Sequence, residues 1–126
     1  MISVPKKVEY SLFLISDLAK KRDKLTALSD VAKRLNLPYR FLSQLAIGLK
    51  KAGVIEGKEG KGGGYKLSLG WQRKNVFDLV VALGEVKELV KCQECGQEGF
   101  CRMKQVWGRV EQGLVKELKQ VRLCQL

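Results

Sequence analysis

Six of the twelve residues from Gly53 to Gly64 are glycine, and no helix runs through such a segment. It divides the chain into two stretches of helical pattern. Val54-Ile55 opens an extended run near its start, and Tyr65-Lys66-Leu67-Ser68-Leu69 alternates apolar and polar after it. Two short strands joined by a Gly/Lys loop are therefore expected, a β-hairpin set among helices. The string Gly-Lys-Gly-Gly-Gly is not a nucleotide loop. It lacks the phosphate-loop spacing, the Lys-Ser/Thr ending and the helix that should follow.

Before the hairpin the apolar spacing predicts three helices. Residues 5–21 carry Val8, Leu12, Phe13, Ile15, Leu18 and Ala19 at mostly helical spacing, with Pro5 near the start and a basic end. Residues 27–35 present Leu28, Val31, Ala32 and Leu35. A tight turn at Asn36-Leu37-Pro38 leads into a third helix reaching about Ala52, with Phe41, Leu42, Leu45 and Leu49 inward and Gly53 as its cap. After the hairpin, residues 75–84 read as a fourth helix with Asn75 as N-cap. A last helix over 102–121 steps through Met103, Val106, Trp107, Val110, Leu114, Leu118 and Val121 at nearly heptad spacing. The fold class is mostly α with a small β-hairpin wing: a winged helix–turn–helix plus a long C-terminal dimerisation helix that projects from it. The organisation is 1–84 for DNA binding, 85–101 a cysteine-rich loop, and 102–126 the dimerisation helix and tail.

A formal charge of +11 on 126 residues suits a polyanionic partner, and the helix–turn–helix says which one. The second helix of the pair would enter the major groove of double-stranded DNA. Its outward candidates are Tyr39, Arg40, Ser43, Gln44 and Ile47. Gln44 and Ser43 can hydrogen-bond base edges, and Arg40 can read guanine or grip phosphate. Lys58, Lys61 and Lys66 around the wing glycines would neutralise phosphates without reading sequence. No run of about 18 apolar residues marks a membrane span and no leader pattern is evident, so a cytoplasmic protein is expected.

The chain has no histidine, which excludes His-based acid–base catalysis and Cys/His nucleophilic pairs. Three of its four cysteines, Cys92, Cys95 and Cys101, lie within ten residues. In a reducing compartment such a cluster binds metal or does redox chemistry rather than stapling a fold. Soft thiolates suit an iron–sulfur cluster or zinc. With Cys124 added, four thiols would complete a closed zinc site. Cys92 and Cys95 could instead close as a disulfide in a thiol switch. A thiol–disulfide oxidoreductase is disfavoured because the βαβ context is missing, so no enzyme is expected.

Several strings resemble the IscR/NsrR-type winged-helix regulators of the Rrf2 family. They are Glu9-Tyr10-Ser11-Leu12, Val31-Ala32, Phe41-Leu42-Ser43-Gln44-Leu45, Leu49-Lys50-Lys51-Ala52-Gly53-Val54-Ile55 and Gly60-Lys61-Gly62-Gly63-Gly64-Tyr65. The resemblance covers nearly the whole chain. It implies a homodimer paired through the last helix, a palindromic operator, and a [2Fe–2S] or [4Fe–4S] cluster on Cys92, Cys95 and Cys101 that senses iron, redox state or nitric oxide. It also implies a fourth ligand near the N-terminus of the other subunit, which places Glu9 there with Cys124 as rival. Two features depart from the family pattern. Lys58-Glu59-Gly60-Lys61 stands where an arginine often precedes the wing glycines, and two residues rather than five or more separate the first cysteines.

Overall fold

The computed structural model describes residues 4–21, 23–86 and 101–126. Among them are five α-helices: α1 (Lys6–Lys21), α2 (Leu28–Leu35), α3 (Tyr39–Lys51), α4 (Val76–Ala82) and α5 (Met103–Gln120). Strands β1 (Ile55–Lys58) and β2 (Gly64–Leu67) form the wing, and short 3₁₀ turns occupy Trp71–Arg73 and Leu123–Gln125.

The helix boundaries follow local chemistry. Asn36 ends α2 in the left-handed conformation at φ 54°, which asparagine tolerates better than most residues. Gly53, at φ 75°, ends α3, and the Val54 N–H donates back to the Leu49 carbonyl at 3.1 Å. Asn75 caps α4 reciprocally. Its side chain accepts from the Asp78 N–H, and the Asp78 carboxylate accepts from the Asn75 N–H, both at 2.9 Å.

The wing is antiparallel, with Ile55 opposite Leu67 and Glu56 opposite Lys66. A third segment extends it. Thr26 exchanges two main-chain hydrogen bonds with Tyr65, at 2.9 and 2.8 Å, so the wing is anchored beside the start of α2. Gly64 is required there, because a Cβ would lie 2.5 Å from the Thr26 carbonyl carbon and oxygen.

One core joins α1 to α4 and the wing. Leu14, Ile15 and Leu18 meet Val31 from α2, Leu42, Leu45 and Leu49 from α3, Ile55 from β1 and Leu79 from α4. Burying a side chain of this size stabilises by roughly 1.5–3 kcal/mol relative to exposing it. Phe13, one of the apolar residues of α1, is 47% exposed. Ser11, Asp17 and Leu18 take the buried positions around it on α1, and Phe13 falls on the opposite side of the helical period. Phe41 is half-buried and meets Tyr10 edge-on, with centroids 5.2 Å apart.

The expectation that α5 simply projects needs correction. Its far end returns to the winged unit. The Val76 N–H donates to the Val121 carbonyl and the Leu123 N–H to the Lys74 carbonyl, both at 2.9 Å. Leu123 is 1% exposed and joins the core. The Lys119 ammonium sits 5.1 Å from the centre of the Phe77 ring. An apolar residue near a chain end is hard to tell from a frayed one in sequence, which is why this docking was missed.

Candidate nucleic-acid interface and cysteine centre

The back of α3 is core, so its front is left for a partner. Tyr39 is 56% and Ile47 58% exposed, Arg40 and Gln44 are exposed, and Ser43 is half-buried. These five share the helix surface opposite Leu42, Leu45 and Leu49, because residues four and seven apart return to one face. Lys50 and Lys51 are exposed in the last turn. At Gly48 a Cβ would come 3.3 Å from Leu83 Cδ2, so the glycine lets the end of α4 close against the back of α3.

On the wing, Lys58 and Lys61 are exposed, as is Glu59 between them. Lys66 differs from the other two. Its ammonium lies 3.3 Å from the cross-strand carboxylate of Glu56, so part of its charge is already answered within the wing.

The first helix of the helix–turn–helix, α2, is tied to α1 by an ion pair that no local pattern announces. Arg34 on α2 grips Asp17 on α1 with both arms, Nη2 to Oδ2 at 2.7 Å and Nε to Oδ1 at 3.2 Å. Asp17 is nearly buried, and the fork geometry orients α2 against α1. Donating to the Asp17 carboxylate raises the pKa of the Arg34 guanidinium above its ordinary value. Its stabilisation is present below that ordinary value and is lost only as pH rises through the raised one, far above neutrality. The signal in the sequence was an acidic residue, Asp17, set between Ile15 and Leu18 on an apolar face.

Of the expected metal ligands, Cys92 and Cys95 lie outside the described residues. Cys101 is partly buried immediately before α5, and Cys124 is exposed in the terminal 3₁₀ turn. Glu9 lies in the first turn of α1, its carboxylate 3.2 Å from the Lys6 ammonium in an ion pair open to water. Such a pair contributes little and is easily exchanged for another partner. Among the described residues no three Cys, Asp or Glu side chains converge within one chain. As a donor set, three thiolates and one carboxylate would suit a soft metal centre with one ligand of a different kind.

Residues 4–126 match the family model described as Rrf2, iron-dependent transcriptional regulator. The chain belongs to the Rrf2 family. The protein rrf2 of Nitratidesulfovibrio vulgaris is 30% identical over 104 residues, covering 79% of this chain and 69% of its own length. The regulator NsrR of Halalkalibacterium halodurans is 31% identical over 124 residues, covering 94% and 85%. Among solved structures, IscR of T. potens superposes with a TM-score of 0.77 at 27% identity, covering 98% of this chain and 84% of that one. CymR, the global cysteine regulator of B. subtilis, gives 0.75 at 25% identity, covering 98% and 94%.

The winged helix–turn–helix read from the sequence is thus the fold of an Rrf2-family transcriptional regulator. Family members of this kind are regulators rather than enzymes. No helix among the described residues is long and apolar enough to cross a membrane.

Proposed function

We propose that this Rrf2-family regulator binds a palindromic DNA operator as a homodimer and that an iron–sulfur cluster sets its affinity. Residues 1–84 read the DNA, 85–101 hold the cofactor, and 102–126 pair the subunits. The observation that carries DNA docking is the front of α3, where Tyr39, Arg40 and Gln44 are exposed and Ser43 is half-buried beside them. Lys58 and Lys61 on the wing would neutralise phosphates beside it. Glu59 between them weakens that grip.

Pairing is supported by α5, which has no buried residue and exposes Met103, Val106, Trp107, Val110 and Leu114 along one seam. A second copy laid against it would bury that seam and set two copies of α3 on two half-sites. Cys92, Cys95 and Cys101 would hold the cluster, with Glu9 of the other subunit as fourth ligand and Cys124 as its rival. The bound group would supply a redox- and ligand-sensitive centre. Glu9 and Cys101 sit at the roots of α1 and α5, so their distance apart across the dimer would bias how the two α3 helices are spaced. Operator affinity changes only if that bias differs between dimer geometries. The regulator is expected to work in the cytoplasm.

A second reading, a thiol-switch or zinc-stabilised DNA binder, is favoured by the exposed free thiol of Cys124. CymR of Staphylococcus aureus has been solved in an oxidised form, and that structure superposes with a TM-score of 0.72 at 28% identity. Anaerobic purification separates the readings. Visible absorption with matching iron and acid-labile sulfide, both lost in Cys92→Ala, is the expected result. Zinc without sulfide selects the structural-metal reading. Protein that takes up neither iron nor sulfide on reconstitution selects the thiol switch.

A further inference from the structure

Ile47 is the one large aliphatic side chain on the otherwise polar front of α3. It is 58% exposed, and it lies three residues after Gln44 and seven after Arg40, one and two turns along the same surface. Its flanks on that surface are Ser43 and Lys50. A β-branched residue gains nothing at a solvated helix position, where lysine, glutamine or alanine is the better helix former. The core does not use it either, since Leu45, Ala46 and Leu49 fill the positions around it that face inward.

We infer that Ile47 reads the C5-methyl group of a thymine in each operator half-site. In the major groove thymine alone of the four normal bases offers a methyl, and the side chains that recognise it are apolar. Arg40 and Gln44 carry donors matched to guanine and adenine edges. Ile47 completes the row with the contact those two cannot make. The selected sequence should therefore hold a thymine at a fixed step from the bases that Arg40 and Gln44 contact. This inference rests on the docking of α3 proposed above.

The test removes one methyl group without touching a hydrogen bond. The full-length protein selects duplexes from a random-sequence pool, and each thymine of the enriched sequence is then replaced singly by deoxyuridine. One position per half-site should weaken the wild-type protein about fourfold, the factor that corresponds to roughly 0.8 kcal/mol for one buried carbon group. The same replacement should change Ile47→Ala by less than about 1.5-fold, while that variant keeps its helical circular dichroism and its binding to unselected DNA. Two results overturn the inference. If no uracil position weakens the wild type, or if wild type and Ile47→Ala lose affinity equally at every position, then Ile47 reads no methyl group. The docking itself is judged separately by Arg40→Ala and Gln44→Ala. If both bind the selected duplex as the wild type does, or if the pool yields no enriched sequence, the docking of α3 fails and the role of Ile47 fails with it.

Discussion

From α1 to α4 the apolar side chains of this regulator lie against one another, with Leu14, Leu42, Leu49 and Leu79 each at 0% exposure. Along α5 the same residue types face outward. Met103 is 55% exposed, Trp107 40% and Leu114 37%, and no residue of that helix is buried. Both regions are amphipathic, so hydrophobic pattern alone does not distinguish them. What differs is the number of neighbours the chain can supply. Four helices and a hairpin surround the winged core, whereas among the described residues no neighbour buries any residue of α5. A helix stabilised mainly by tertiary packing needs that cover from elsewhere.

Substitutions at matched positions would break this comparison if it is wrong. Leu49→Ala should destabilise the winged unit by about 2–5 kcal/mol, since it leaves a cavity in the buried core, and urea unfolding followed by circular dichroism measures the loss. Trp107→Glu should act on association instead. We expect the dimer dissociation constant to rise about thirtyfold or more, as for a central aromatic anchor, in sedimentation equilibrium. A variant that stays dimeric at the same concentration would show that the seam is not the pairing surface.

The junction between the regions sharpens the contrast. Asn75 caps α4 and stands opposite Arg122 in the bridge that ties the chain end to the winged unit. Asn75→Ala should cost about 1 kcal/mol through the lost cap. If hydrogen exchange at the Val76 and Leu123 amides also quickens, the cap and the docking of the tail are coupled. Unchanged exchange at Leu123 would mean that the buried side chain alone holds the tail.

Much of the winged unit was legible because local rules and packing agree there. The pattern around Leu42, Leu45 and Leu49, the cap at Gly53 and the wing glycines each point to the observed element. The front of α3 was legible for the same reason: once the inward residues are known, Tyr39, Arg40, Gln44 and Ile47 are what remains. The buried face of α1 is less legible, because α1 carries apolar residues around more than one face and periodicity cannot say which of them meets the core. Lys66 looked like a free wing cation, and strand register gave it to Glu56. The cysteine centre is legible as chemistry, three thiols at close spacing, but not as geometry, since Cys92 and Cys95 lie outside the described residues.

The sequence by itself determined the order of elements, the wing, the exposed front of α3 and the outward seam of α5. Each of these depends on periodicity, a turn residue or a cap, which act within a few residues of one another. Tertiary structure alone decided the Asp17–Arg34 clamp, the third wing segment at Thr26, and the return of Leu123 to the core. Those contacts join residues far apart in the chain. Which long-range partners meet is fixed by how the packed elements close around a shared core, and no local pattern carries that information.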